Sequence, residues 1–273
     1  MKKILALLLL GIASLGIRSA SAGLISQYQF NNNTTDSIRG GAGLATVSGT
    51  TQYASGVNGS AFIFNGSTYL SAPLPGSGLT AMTITAWVKY NQQTHWANIV
   101  SNWGSTAVGA FYFGLQNDQF KIANYLGYED GSWNYVGSPN TFTTGRWYNV
   151  GVTFGPSGNQ KLYVDGVVVA TGAATPGAII NDNIPTMSIG AKLNNAMNGP
   201  GAPPGYLNGL IDDLSFYDNE LSLADMNAIV AAGPSSAVPE PGQVAASLLL
   251  LGGIGGYVFL KRRKIAKSAV ATA

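Results

Sequence analysis

Apolar and polar residues alternate along much of this chain. Between Met82 and Tyr90, the residues Met82, Ile84, Ala86 and Val88 take one side and Thr83, Thr85, Trp87 and Lys89 the other, the period-two pattern of a strand with one buried face. Residues 24–30 alternate in the same way and end at the polar cluster 31–36. Further strands are predicted at 61–64, 98–103, 109–116, 120–125 and Trp147–Phe154. Asp165-Gly166 stands between the apolar runs 161–164 and 167–169. It predicts a hairpin, because a type I′ turn needs positive φ at both central residues. One helix is predicted, from 223 to about 231, with Ser222 as cap, Asp225 answering three residues on, and Leu221 stapling onto Met226. A dozen short strands in one domain imply two sheets packed face to face, since one open sheet would expose too much apolar surface. The fold expected is all-β, a two-sheet antiparallel jelly-roll sandwich with one short helix.

Two apolar stretches do not alternate. Residues 4–17 follow Lys2 and Lys3, and Ala20-Ser21-Ala22 supplies the small residues of a cleavage site, so 1–22 reads as a signal peptide. At the other end, the uncharged run 244–260 would rise about 25 Å as a helix, enough for a thin bilayer. Before it stand Val238, Pro239, Glu240 and Pro241, in a linker at 233–243 that neither helix nor central strand can cross. After it come Lys261, Arg262, Arg263 and Lys264, which hold the tail 261–273 in the cytoplasm. The expectation is an exported body at 23–232, tethered at first by a C-terminal transmembrane helix.

These ends distort the composition. The whole chain carries 14 basic and 12 acidic residues, a formal charge of +2. The body keeps six basic residues against eleven acidic ones, about −5, and lacks the clustered cations of a nucleic-acid binder. With no cysteine, disulfides and thiolate metal sites are excluded. Stability has to come from a packed core.

The order Val-Pro-Glu-Pro, apolar span, Arg/Lys cluster, together with the signal peptide, resembles the PEP-CTERM sorting signal of Gram-negative bacteria. That resemblance implies cleavage near 238–241 by the membrane protease exosortase, then release to the cell surface or the extracellular polysaccharide matrix. A second resemblance covers about 24–232. Residues 24–30 with Asp36, Gly56-Val57-Asn58-Gly59-Ser60-Ala61-Phe62, Thr83-Ile84-Thr85-Ala86-Trp87-Val88-Lys89, Arg146-Trp147, Leu162-Tyr163-Val164-Asp165-Gly166, Gly209-Leu210-Ile211-Asp212-Asp213-Leu214 and Leu221-Ser222 look like the laminin-G-like domains of the concanavalin A-like lectin and glucanase superfamily. The chain departs from relatives at Asn149, where a His often stands. The resemblance also implies a structural calcium ion near Asp212, with the turn from Asn31 to Asp36 close by.

That fold serves binders and hydrolases, so the residues must decide. Glycoside hydrolysis needs two carboxyl groups flanking the bond, and only Glu129, Glu220 and Glu240 occur as glutamates. None sits in an alternating acidic strand, and the adjacent pairs Glu129-Asp130 and Asp212-Asp213 would point to opposite faces of a strand. His95 is the only histidine and has no nucleophile motif beside it. The chain therefore reads as a non-enzyme. Sugar binding has better material, because aromatic rings stack on sugar CH faces while amides and hydroxyls bond the edges. The set Trp96, Trp103, Tyr125, Trp133 and Tyr135, with Tyr128 nearby, lies among Asn, Gln and Gly, its second half in a loop-like stretch. Trp87 and Trp147 are expected in the core. The partner is then an extracellular polysaccharide, or alternatively a surface protein that the sandwich meets as a structural adhesin. Asp212 shares strand parity with Leu214 and Phe216, so an inward carboxylate is expected there, held either by calcium or by backbone amides. The Asn58 and Asn65 sequons read as turn chemistry.

Overall fold

The computed structural model describes residues 23–94, 96–116, 120–139, 141–196, 198–201 and 205–232. The signal-peptide stretch, the motif 238–241, the run 244–260 and the cations 261–264 lie outside the described residues, as does His95. Among the described residues no helix is long and apolar enough to cross a membrane.

The chain begins with β1 (Leu24–Tyr28), β2 (Thr46–Ser48), β3 (Tyr53–Ser55), β4 (Ser60–Asn65) and β5 (Tyr69–Pro73). It continues through β6 (Met82–Tyr90), β7 (Asn98–Ser101), β8 (Phe111–Gln116), β9 (Lys121–Gly127) and β10 (Trp133–Gly137). The last part holds β11 (Trp147–Phe154), β12 (Asn159–Val164), β13 (Val167–Ala173), β14 (Thr186–Ile189), β15 (Asn208–Tyr217) and the helix α1 (Leu223–Ala232). They form an all-β sandwich of two antiparallel sheets with one short helix. One sheet has eight strands in the order β13-β12-β11-β6-β15-β4-β3, with β1 beside β15; the other has seven, in the order β10-β9-β8-β7-β14-β5-β2.

Period-two patterning builds the space between them. Ile84, Ala86 and Val88 from β6, Val150, Val152 and Phe154 from β11, and Phe111, Phe113, Leu115, Ile122 and Leu126 from the facing sheet are all buried there. Each Val, Leu, Ile or Phe among them contributes about 1.5–3 kcal/mol by leaving water, the main cohesion open to a chain without cysteine. At the β12–β13 hairpin Asp165 and Gly166 have φ of 50° and 80°, as a type I′ turn requires. Helix α1 starts on a reciprocal cap, in which the Asp225 amide donates to Ser222 Oγ (3.2 Å) and the Ser222 amide to Asp225 Oδ2 (3.0 Å). It packs Met226 and Ile229 onto Tyr163, Tyr217 and Leu221, outside the eight-stranded sheet. Gly151 lies beneath it, and its missing side chain leaves room for the end of Met226.

Two expectations fail for one reason, strand parity. Trp87 pairs with Asn149, and Trp147 with Lys89, on the face that α1 also uses, so neither tryptophan enters the core. Lys89 Nζ instead sits 5.2 Å over the Trp147 ring. Asp212 likewise does not share a face with Leu214 and Phe216. The register shifts between Asp212 and Ser215, and Asp213 at φ 53° is the extra residue of the bulge. Asp212 pairs with Trp87 and Ser215 with Thr85, so the bulge returns acidic and polar residues to the outer face while Leu214 stays in the core.

Candidate functional site

The outer face of the seven-stranded sheet carries a transverse row fixed by register. Tyr135 lies opposite Tyr125, Tyr125 opposite Tyr112, and Tyr112 opposite Ser101. Ser101 faces Ser188, Ser188 faces Ser71, and Ser71 faces Thr46. Their strand neighbours Phe111, Phe113, Ile122 and Leu126 point the other way, into the core. The chain after β14 folds over the serine half, where buried Ser188 Oγ reaches the carbonyls of Ser101 (3.0 Å) and Ala191 (2.5 Å). The tyrosine half remains for other contacts.

Tyr125 is the hub of that half. Its ring centroid is 4.8 Å from Tyr135, 5.7 Å from Trp133, 5.8 Å from Trp103 and Tyr112, and 6.1 Å from Trp96. Edge-on and tilted contacts at such spacings are favourable and fix the rings as one array. Trp96 enters from the segment before β7, Trp103 from the segment after it, and Trp133 and Tyr135 from β10. Stretch 125–135 is therefore mostly paired strand rather than loop, with its turn confined to the middle. The hydroxyl of Tyr135 donates to Gln116 Oε1 at 2.6 Å, passing over Gly137, where a side chain would block it.

Trp96, Trp103, Tyr112, Tyr125 and Lys192 line a hollow of about 160 Å³, and Trp133, 52% exposed, stands beside it. The Trp103 segment is tied to the Lys192 segment by Asn195, whose Oδ1 accepts the amides of Thr106 (2.9 Å) and Ala107 (3.2 Å). Trp103 Nε1 is buried without an acceptor. Trp96 has φ 55°, and its carbonyl accepts from Tyr112 Oη (3.0 Å) and Asn98 Nδ2 (3.3 Å). Burial pushes the Tyr112, Tyr125 and Tyr135 phenols up, so they remain neutral donors and acceptors. Burial alone pushes the Lys192 ammonium down.

All five ring positions predicted from sequence thus come together. Tyr128 does not join them, being buried with its hydroxyl bonded to Asn134 and to the Thr175 amide. Two members of the hollow were missed. Tyr112 was legible, because the alternation of Phe111, Phe113 and Leu115 into the core sends it outward. Lys192 had no local signal; a loop brings it there. Among the described residues no carboxylate lines the hollow. Glu129 lies in an exposed turn segment, and Glu220 is held by Ser157 and Lys161.

The acidic group on the other sheet is separate. Asn31 Oδ1 accepts the Ser60 amide (2.8 Å) and Asp212 Oδ2 the Val57 amide (2.9 Å), so both grip the β3–β4 turn. Burial raises Asp212 to about 6. Burial, then the charge of Asp212, raises Asp213 to about 7. Asp212 Oδ1 is buried and has no partner, an arrangement that suits a cation. Asp36 is unsuited to one: its oxygens accept from Ser26, Gln27, Ile38 and Arg39, with Arg39 Nε at 2.6 Å. Among the described residues no three His, Cys, Asp or Glu cluster as a metal site, so Asn31 and backbone carbonyls would have to complete calcium's oxygen shell.

The described domain is similar to domain 4 of AbnA, a GH43 extracellular arabinanase from Geobacillus stearothermophilus, in complex with arabinotriose. The TM-score is 0.58 at 23% identity, covering 76% of this chain and 98% of that one. It is also similar to the binding domain of Paraclostridial Mosquitocidal Protein 1 (TM-score 0.58, 12% identity, 77% of this chain and 52% of that one). A third likeness is to the binding domain of Botulinum Neurotoxin DC in complex with SialylT (0.58, 15%, 77% and 51%). The chain spans about half the length of the two toxin domains. At these identities the likeness is one of fold. No curated protein matches the sequence. Residues 64–227, more than half the chain, match the laminin G family described as Concanavalin A-like lectin/glucanases superfamily. With the two-sheet sandwich, that match shows that the chain belongs to this laminin G family of the concanavalin A-like lectin/glucanases superfamily.

Proposed function

We propose that the sandwich binds carbohydrate without catalysis and holds an extracellular polysaccharide. The observation that carries this reading is the array of rings around Tyr125 bordering the hollow. Rings stack on the CH faces of a sugar, while Tyr hydroxyls, Gln116 and Lys192 offer bonds to its edges. At about 160 Å³ the hollow is smaller than the roughly 300–1,000 Å³ of a drug-sized pocket. It suits one unit of a chain whose next units run past Trp133. The arabinotriose held by AbnA domain 4 supports the same ligand class, and a lining without carboxylates among the described residues supports binding over cleavage. An aromatic surface of this kind favours the sugar reading over a structural adhesin with protein partners.

Affinity electrophoresis of full-length protein through gels cast with arabinan, glucans and bacterial exopolysaccharides tests it. Retardation by at least one gel, abolished in Trp103→Ala and Tyr125→Ala, is the expected result. Free migration in all of them, with the protein folded, overturns it. Cleavage of a glucan that Glu129→Gln abolishes would establish an enzyme instead.

The sequence further supports export, membrane tethering through 244–260, and exosortase cleavage near 238–241. Glu240→Ala should leave a longer, membrane-retained form; normal release of that variant would refute the sorting reading. A structural calcium held by Asp212 and Asn31 belongs to the same proposal. It would neutralise the buried carboxylates and clamp the β3–β4 turn.

A further inference from the structure

We infer that the hollow is built for a carboxylate-bearing sugar, a uronic-acid unit of an acidic polysaccharide; this rests on the carbohydrate reading above. Of the described residues that line it, Lys192 is the charged one and the other four are aromatic. Among the described residues Lys192 takes part in no ion pair; the pairs present use Arg39, Arg146 and Lys161. An ammonium half-withdrawn from water, with no ion-pair partner among the described residues, has lost hydration that an aromatic lining does not return. An anion arriving with the ligand would return it.

Position adds to the argument. The Lys192 carbonyl accepts the Gly201 amide at 2.9 Å, and its neighbours Ala191 and Leu193 are fully buried. Three residues on, Asn195 binds the Trp103 segment. The lysine therefore rises from an anchored backbone into the lining that it shares with the rings. A pyranose stacked by its CH face on such rings projects the carboxyl group of a uronic acid sideways, in the ring plane, where a charged group of the lining can meet it. One ammonium matches one carboxylate. The depressed basicity of Lys192 has burial as its cause, consistent with an ammonium awaiting a counter-charge. Since the body carries about −5, long-range attraction does not explain a preference for a polyanion. Any such preference must arise at the contact itself.

The test is calorimetry on full-length protein with uronate hexamers (galacturonate, mannuronate, guluronate and glucuronate), each against its carboxyl-reduced neutral form. Wild type should bind at least one uronate tenfold or more tighter than the matching neutral hexamer. Lys192→Met should bring the two within about threefold of each other, with an unchanged melting temperature, and Tyr125→Ala should weaken both forms. Equal binding of acid and neutral forms by wild type, or a preference that survives in Lys192→Met, overturns the inference and leaves the carbohydrate reading standing. No binding of any hexamer by wild type likewise overturns the inference, and the carbohydrate reading is then decided by the gels above.

Discussion

Trp96 holds a large side chain at φ 55°, where the backbone costs about 1–2 kcal/mol for a residue with a Cβ. Bonds from Tyr112 and Asn98 to its carbonyl maintain it, so the ring is kept beside the hollow at some expense in stability. Trp96→Gly removes both ring and strain, and its melting temperature should stay within about 4 °C of wild type while polysaccharide affinity falls tenfold or more. A loss beyond about 10 °C would make Trp96 a structural residue instead. Asp36 is the opposite case. Burial pushes its pKa up, but hydrogen bonds from Ser26 and Arg39 outweigh that and hold it below the ordinary value. An acid whose folded pKa is depressed adds stability above its unfolded pKa and loses it as pH falls through the folded one. Asp36→Asn should therefore cost about 2–4 kcal/mol at pH 7, since Arg39 is left without its counter-charge. It should also lack the part of the wild-type decline that sets in below about pH 4. Parallel Tm–pH curves for the two proteins would refute this account.

Elements formed where local pattern and turn chemistry agreed. Strands β6 and β11 span the residues their alternation predicts, and Asp165-Gly166 turns as its φ preference requires. Helix α1 rests on the Ser222–Asp225 cap, so Ser222→Ala should cost about 1 kcal/mol in urea unfolding with an unchanged slope; no change would show that tertiary packing alone sets the helix start. Pattern failed at β15 because parity counting assumes an unbroken ladder. One residue at positive φ, Asp213, resets it and puts Asp212 on the face opposite to the one that parity gives. It also places Asp213 near Asp212, where strict alternation would separate them. Strand β10 looks loop-like in sequence because its short Trp133-Asn134-Tyr135 alternation lies among Asp, Gly, Ser and Asn; its pairing with β9 makes it a strand.

Across the whole molecule, the two sheets divide the work. The outer face of the seven-stranded sheet bears the ring array, and the eight-stranded sheet bears α1 and the acidic bulge. If calcium occupies the bulge, chelation should lower the melting temperature by roughly 5–10 °C, the scale of a ligand present at about a hundred times its Kd. Asp212→Asn should then be indifferent to chelator. A wild type indifferent to chelator would assign the Asp212 carboxylate to the turn amides alone. The sequence by itself determined the all-β class, the two-sheet packing, the α1 cap and the five rings near the site, because these follow from periodicity, turn propensity and residue type. Only the tertiary structure decided that Tyr112 completes the row, that Trp87 and Trp147 stay outside the core, and that Lys192 is the charge beside the rings. Those depend on cross-strand register and on loops returning from distant positions, and side-chain period carries no information about either.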